Sequence, residues 1–266
     1  RDEWEWLERF ERDTISLSGS LSATTGHRAM DYEKLLRQGC NGVLEEVKRR
    51  RSQLMFNDPD DARRDCFYEA AEISLRGFIR LGQRYHDKLA ECYEAEKNPI
   101  RKREYAKLVD IFSNIPANPA RDFYEAIQCV WLLQFAVYIA GDTNLSGRPA
   151  EYLYPYYKKD KEAGRLTDEF TMELIENFYL KHNEIYDTWP ASLMVGGVKR
   201  DGTPAWNELC YMFVKGIETV GLINPAVAIA YNEHMPQDLM DLCVDIISKG
   251  YTKPAFFSDK VIIEGL

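Results

Sequence analysis

The sequence predicts a helix-rich α/β fold in which several long helices precede alternating short strands and helices. Proline follows a capping side chain at Asp58, Asn98 and Asn118, which is typical of helix starts. Further along, three short apolar runs are bounded by turn signals and separated by helical stretches, as buried parallel strands usually are. These runs occupy residues 192–198, 224–231 and 254–257.

The first helix is predicted over residues 31–51, where apolar side chains recur at helical spacing. Asp31 is its expected N-cap, because the carboxylate can accept hydrogen bonds from the free amides of the first turn. Gly39 and Gly42 each weaken this helix by up to ~1 kcal/mol, so a break there is compatible with the sequence. The basic run at residues 48–51 suits the solvated carboxyl end of a helix.

Two further helices are predicted over residues 59–96 and 99–112. The next helix is expected to begin at Pro119, with Asn118 as its cap. Its side chains are apolar on nearly every face, which predicts that it is buried on most sides.

The second half of the chain is expected to alternate between strand and helix. Residues 141–155 are predicted to be loop or extended chain. The helices of this half are predicted over residues 161–182, 204–220 and 236–249. We find no repeat and no low-complexity linker, so one domain is expected, helical over residues 1–140 and alternating over residues 141–266.

Composition excludes several classes of function. The chain has 266 residues and a net charge of -9, which disfavours both nucleic acid and anionic membrane surfaces as partners. No apolar run approaches the ~20 residues of a membrane span, and no signal peptide is visible. The six cysteines are far apart, without CxxC pairs or histidines at metal-ligand spacing. We therefore expect reduced thiols, no metal site and a cytoplasmic protein.

Five segments together carry a resemblance to a known family. Each is similar to a family motif, and they occur in the family's order between residues 24 and 263. They are Gly26-His27 with DYEKLL at 31–36, NPARDFYEAIQ at 118–128, SGRPAEYLYPYY at 146–157, the pairs Gly196-Gly197, Asp201-Gly202 and Asn207-Glu208, and PAFFSD at 254–259. The chain resembles the first half of a glycyl radical enzyme of the pyruvate formate-lyase-like family, in its glycerol dehydratase and choline lyase branch.

The resemblance implies half of a ten-stranded barrel with helices outside. In the family, a radical-SAM iron–sulfur activating enzyme removes a hydrogen atom from a glycine in a carboxyl-terminal segment. The glycyl radical oxidises a cysteine to a thiyl radical, which attacks the substrate. The expected partners are thus a small-molecule substrate and the activating enzyme, with a homodimer as the full-length state and no cofactor bound directly.

Neither the family's cysteine loop nor its glycyl segment is found in this sequence, so we expect no radical residue here and no turnover by this segment alone. Both ends look like cuts through a longer protein. The nearest string to the cysteine motif, Gly39-Cys40-Asn41-Gly42, falls in the first helix and is not expected to carry the radical.

The resemblance also implies substrate contacts in this half. His27 matches a position where dehydratase-like members hold a substrate hydroxyl, and a histidine there can exchange a proton with a leaving hydroxyl. Ser146, or its neighbours Thr143 and Asn144, matches a second polar contact. The alternative for His27 is a structural role beside the helix at Asp31.

Two tryptophans are candidate walls of the pocket. Trp189 precedes the run at 192–198, and Trp206 follows the turn after it. Either could instead belong to the ordinary core, because aromatic side chains bury large areas and usually serve packing. Arg148 is expected to hold its loop by hydrogen bonds, and His86, His182 and His234 are expected to be structural or exposed.

The full-length protein is therefore expected to be a radical lyase or dehydratase that cleaves a C–O, C–N or C–S bond of a small polar substrate. A formate acetyltransferase or an arylacetate-type decarboxylase of the same family is the alternative chemistry. A non-catalytic helical scaffold is the alternative of another class, and it predicts a stable, soluble fragment with no open barrel half; short apolar runs that do not align as neighbouring strands would remove the enzyme interpretation.

Overall fold

The computed structural model describes residues 28–140, 144–185, 192–199 and 201–265. The helices are α1 (Tyr32–Arg51), α2 (Pro59–Ala95), α3 (Pro99–Asn114), α4 (Phe123–Ile139), α5 (Pro149–Tyr152), α6 (Tyr154–Glu162), α7 (Asp168–Ile185), α8 (Glu208–Val220), α9 (Gln237–Ser248) and α10 (Asp259–Gly265). The strands are β1 (Arg28–Ala29), β2 (Asn144–Leu145), β3 (Ser192–Gly196), β4 (Ala226–Tyr231) and β5 (Ala255–Ser258). The predicted helix-rich α/β class is confirmed.

The three predicted apolar runs form neighbouring strands of one parallel sheet, in the order β3-β4-β5. In its register Met194 pairs with Ala228, and Ala228 pairs with Ala255. Helix α8 connects β3 to β4, and α9 connects β4 to β5, as parallel strands require a crossover. The predicted alternation of strand and helix is therefore confirmed.

Two short strands, β1 and β2, continue the strand order on the side of β3 that does not pair with β4. Strand β1 pairs in parallel with β2, with Arg28 opposite Asn144. The chain just after β2 then bonds to β3, because the Ser146 amide donates to the Ser192 carbonyl at 2.9 Å and the Met194 amide to the Gly147 carbonyl at 2.8 Å. The strands thus follow one another in chain order from β1 to β5. Neither β1 nor β2 was predicted, since two residues carry no readable periodicity.

The helices pack against one face of the sheet. Leu193, Val195, Val227 and Ile229 point into the main hydrophobic core and are almost fully buried there. Helix α4 has buried residues on most of its sides, as its apolar sequence predicted. The core therefore lies between the sheet and the helices, and the opposite face of the sheet carries no helix among the described residues.

Helix α1 is broken at Gly39, as the sequence allowed. This glycine has φ +63, outside the helical region. The break frees amides that bond to the chain after α3: the Cys40 amide donates to the Pro116 carbonyl and the Asn41 amide to the Ala117 carbonyl, both at 2.9 Å. A Cβ at Gly39 would lie 2.4 Å from the Asn118 carbonyl carbon, so only glycine permits this close approach.

The predicted start of α4 was wrong. The helix begins at Phe123, and its N-cap is Asp122, whose carboxylate accepts from the Glu125 amide at 2.8 Å. Asn118 cannot serve as the cap because the chain around it lies along α1, where the Ala120 amide donates to the Leu36 carbonyl at 2.9 Å. Tertiary contacts thus override a local helix-start signal that is correct in form.

Three other predicted bounds need correction. The helix predicted over residues 161–182 is two helices, α6 and α7, separated by a turn at Gly164, whose φ is +68. The helix predicted from residue 204 begins only at Glu208, because Pro204 forms a bridge with Val198. Short helices α5 and α6 occupy part of the stretch 141–155 that was predicted to be loop or extended.

His182 confirms the expected structural role, because it is fully buried in the helix layer. Its Nδ1 atom lies 2.7 Å from the Phe178 carbonyl oxygen. The ring contacts Phe178 and Trp131 edge to face, with centroids 4.3 Å and 5.6 Å away. Burial lowers the pKa of His182 from 6.5 to about 4, since a charged imidazolium is costly in an apolar setting.

This buried histidine should make stability depend on pH. The unfolded chain binds more protons than the folded chain between pH 6.5 and about 4, so the free energy of unfolding should fall as the pH drops through that window, by ~3 kcal/mol at most. We expect His182→Gln to lose this part of the pH dependence in urea unfolding at pH 7.5 and pH 5. The exposed His234 offers a control, since His234→Gln should keep the original dependence. An unchanged dependence in His182→Gln would contradict the assignment.

Candidate functional site

The open face of the sheet carries small side chains on its central strand, β4. Residues paired across parallel strands share a face, so Met194, Ala228 and Ala255 lie on this face together. Ala226 and Ala228 of β4 are only partly buried, and Phe257 of β5 is 48% exposed. Alanines at alternate positions of the central strand leave free space in front of the sheet.

The structure brings two of the predicted site segments together. His27 lies outside the described residues, but the residue that follows it, Arg28, pairs through its backbone with Asn144. Thr143 is also outside the described residues. The chain next to His27 therefore runs directly beside the segment predicted to supply the second polar contact.

Ser146 is held from the helix layer. Its side chain is fully buried, and its hydroxyl accepts a hydrogen bond from Gln134 Nε2 at 2.8 Å. Gln134 also donates to the Tyr32 hydroxyl, which donates in turn to the Leu145 carbonyl at 3.0 Å. Tyr152 donates to the Ser146 carbonyl at 2.8 Å. These bonds fix the backbone of β2, and substrate contact by Ser146 stays a prediction.

Burial keeps Tyr152, one of the two tyrosines of this network, in its donor form. The pKa of Tyr152 is raised well above its ordinary value by burial, with the nearby Tyr32 as a second cause. Their rings stack with centroids 5.2 Å apart. The motif residue Tyr152 thus anchors Ser146, directly after β2.

Trp206 covers the glycine pair at the end of β3. A Cβ at Gly196 would lie 1.8 Å from the Trp206 ring, so glycine is required there. The indole Nε1 donates to Asn232 Oδ1 at 3.3 Å, which links the end of β3 to the end of β4. Trp189 lies outside the described residues, and the pocket roles of both tryptophans stay predictions.

Arg148 joins the carboxyl ends of three strands. Its Nη1 donates to the Val198 carbonyl at 2.6 Å, and its Nη2 lies 3.8 Å from Asp259 Oδ1. Asp259 Oδ2 accepts from the Val198 amide at 2.8 Å. We call these three residues the carboxyl-end clasp. Arg148 therefore holds its loop by hydrogen bonds, as expected.

Gly197 lies inside the clasp. Its φ is +91, and a Cβ there would lie 2.6 Å from Asp259 Oδ2 and 2.9 Å from Arg148 Nη1. A side chain at this position would thus have to displace the carboxylate and the guanidinium together.

The six cysteines all lie on helices, and none is on a strand of the sheet. Cys40 lies in α1 and is fully buried, and desolvation raises its pKa to about 12. Burial also raises the pKa of Cys210 to about 11 and that of Cys243 to about 12. These thiols are protonated packing groups at neutral pH.

The described part of the chain offers neither a membrane-crossing helix nor a cluster of metal ligands. No helix there is both long enough and apolar enough to cross a membrane. No group of three or more His, Cys, Asp or Glu side chains within the described ranges is arranged to hold a metal ion.

A parallel sheet in chain order, with helices on one face and alanines of the central strand on the other, defines a half-barrel α/β protein. The family model for pyruvate formate lyase-like proteins matches residues 2–266. The chain belongs to this family, which confirms the resemblance found in the sequence.

Individual relatives agree with the family. The chain is 32% identical over 252 residues to isethionate sulfite-lyase of Bilophila wadsworthia (strain 3_1_6), covering 88% of this chain and 30% of that protein. It is 30% identical over 263 residues to (2S)-3-sulfopropanediol dehydratase of Klebsiella oxytoca, covering 92% and 32%. The glycerol-bound B12-independent glycerol dehydratase from Clostridium butyricum matches with a TM-score of 0.85 and 29% identity, covering 91% and 32%. The chain thus spans about a third of each relative's length.

The clasp yields a testable contrast between two glycines. Gly202 has φ +81, but a Cβ at this position would meet nothing within 4 Å, so Gly202→Ala should cost only backbone strain of ~1 kcal/mol. Gly197→Ala should cost that strain plus ~1–3 kcal/mol for displaced clasp atoms. Urea unfolding of both variants checks this difference. Equal destabilisation would show that the clasp does not restrict Gly197.

Proposed function

We propose that the whole protein is a glycyl radical lyase of the dehydratase type, which cleaves a C–O, C–N or C–S bond of a small polar substrate. Family membership supports this proposal, as do relatives whose names specify a sulfite-lyase and dehydratases. The observation that carries it is the open sheet face, because small side chains on β4 leave room for a substrate and for the loops that would carry the radical.

In this proposal, residues 1–266 form part of a single domain and supply one wall of the reaction chamber. The radical cysteine and glycine come from outside this segment, and an iron–sulfur radical-SAM activating enzyme generates the glycyl radical. The chain itself binds no cofactor directly. The active protein is a cytoplasmic homodimer.

We assign the substrate contacts to His27, Asn144, Ser146, Trp189 and Trp206. His27 is the residue that donates a proton to the leaving group, because an imidazole titrates near neutral pH. The pairing of Arg28 with Asn144 supports a shared position for the first two contacts. The buried Ser146 holds this edge in place through Gln134. The tryptophans exclude water from the chamber.

Two alternative functions would require different features of this chain. Formate acetyltransfer or decarboxylation within the same family would not need a proton donor for a leaving hydroxyl at His27. A non-catalytic scaffold would not require the short apolar runs to align, yet β3, β4 and β5 pair in register. Strand pairing therefore speaks against the scaffold, and the match of His27 to a family position favours the dehydratase-type reaction over the two alternatives within the family.

The test uses the full-length protein, activated under anaerobic conditions by its radical-SAM partner. Isethionate, sulfopropanediol, glycerol and 1,2-propanediol are the first substrates to try, with product release measured by mass spectrometry. We expect His27→Gln to lower kcat by ~10²–10⁴-fold while the glycyl radical signal in electron paramagnetic resonance stays the same. A full radical signal separates loss of catalysis from loss of activation.

His86 provides the matched control, because it lies on α2 with a partly exposed ring whose Nδ1 contacts the neighbouring Asp87. His86→Gln should keep both the radical signal and the turnover. Unchanged turnover in His27→Gln would remove His27 from the mechanism. Acetyl transfer from pyruvate, without elimination from any polyol or sulfonate, would replace the proposed reaction with the acetyltransferase alternative.

A further inference from the structure

Trp206 lies on a stretch of chain whose backbone is held on both sides. Before it, the Ala205 amide donates to the Gly197 carbonyl at 2.9 Å, just after β3. After it, Asn207 caps helix α8, and its Nδ2 atom donates to the Ala150 carbonyl at 2.8 Å. The position of the indole ring therefore depends on the rotamer of the Trp206 side chain.

Two contacts determine that rotamer. A Cβ at Gly196 would overlap the six-membered ring of Trp206, so the ring lies directly against the backbone at the end of β3. The indole Nε1 donates to Oδ1 of Asn232 at 3.3 Å, and Asn232 directly follows the last residue of β4. The glycine permits the close approach of the ring, and the hydrogen bond sets the direction of its polar edge.

Asn232 is itself held in a turn. Its Oδ1 atom accepts a second hydrogen bond from the His234 amide at 2.9 Å, and its backbone carbonyl accepts from the Met235 amide at 3.1 Å. Both groups that bond to Oδ1 are N–H donors, so the side-chain amide cannot turn to present Nδ2 in its place. The side chain therefore offers a fixed acceptor at the carboxyl end of β4.

The donor half of this side-chain amide forms no hydrogen bond. Asn232 Nδ2 is buried and has no partner among the described residues. A buried donor without a partner is unfavourable, and its presence in a fold needs an explanation. The acceptor supplies that explanation, because it bonds to the Trp206 indole and to the turn after β4.

This hydrogen bond lies at the edge of the sheet where ligands of parallel α/β proteins usually bind, beyond the carboxyl ends of the strands. It joins the residues that follow β3 and β4, and the carboxyl-end clasp lies at the same edge. Trp206 is only half-buried, so part of its ring is free to contact another molecule. An indole held in this place can form a fixed wall of a binding site.

We propose that Asn232 is a positioning residue for Trp206, which fixes the indole as a wall of the reaction chamber and thereby determines which substrates fit. Only the chamber role rests on the proposed function; the placement of the ring by Asn232 does not. Without the bond, the ring can rotate about its side-chain torsions and the wall loses its shape. Substrate binding should therefore suffer more than the radical chemistry.

Fluorine NMR of the full-length protein labelled with 5-fluorotryptophan tests the placement of the ring without any need for activity. Trp206→Phe identifies the Trp206 resonance, because that resonance is absent from its spectrum. We expect Asn232→Leu to shift or broaden this resonance. Asn232→Asp keeps an acceptor oxygen and should leave it near its original position. Circular dichroism checks that each variant is folded, and Asn232→Ala replaces a leucine variant that is not.

Kinetics of the activated enzyme test what the ring does. We expect Asn232→Leu to raise KM by ~10-fold with kcat little changed, since a wall contributes binding rather than stabilisation of the transition state. Asn232→Asp should restore KM. In a Trp206→Phe background, Asn232→Leu should have little further effect, because the two residues act as one unit.

Two results would overturn the proposal. One is a Trp206 resonance that does not move in folded Asn232→Leu or Asn232→Ala protein. The other is a KM effect of Asn232→Leu that stays the same in the Trp206→Phe background. An enzyme that acts on no polyol or sulfonate would instead overturn the proposed function, and the fluorine spectra would still decide whether Asn232 places the ring.

Discussion

The pairing of β1 with β2 is the contact on which the rest of the structure depends, because it joins the two ends of a long helical stretch. Helices α1 to α4 all lie between these strands in the chain. The ladder itself is only two residues long, so side chains of the helix layer must reinforce it. Tyr32 and Gln134 do so, by bonding to the Leu145 carbonyl and the Ser146 hydroxyl. The helix layer thus sets the position of β2 and, through it, of β1.

The carboxyl ends of the strands are held by a different kind of contact. Arg148, Val198 and Asp259 follow β2, β3 and β5, and they lie in three separate family-like segments. Their hydrogen bonds and ion pair join the strands beyond the last residues that pair through the backbone. Gly197 lies within this clasp because any side chain would fill the space of the bonded atoms. Motifs that are far apart in the sequence therefore serve one geometric purpose.

The sequence predicted those elements whose apolar pattern or helix propensity is local and extends over several residues. Strands β3 to β5 were found as apolar runs, and the break at Gly39 was anticipated from helix propensity. The start of α4 was misplaced, because Asn118 and Asp122 both resemble caps and only contacts with α1 decide between them. For Ser146 the motif gave the residue, but spacing alone could not reveal that its hydroxyl faces Gln134.

The open face of the sheet has a consequence for how this wall is completed. Phe256 and Phe257 of β5 are both well exposed, and no strand within the described ranges pairs with the outer edge of β5. Exposed aromatic rings are unfavourable in water, and an unpaired strand edge can bond to another strand, so together they favour an apolar neighbour that adds a strand. A neighbour of this kind, supplied from outside the wall, would close the chamber and exclude water from the radical chemistry proposed for it.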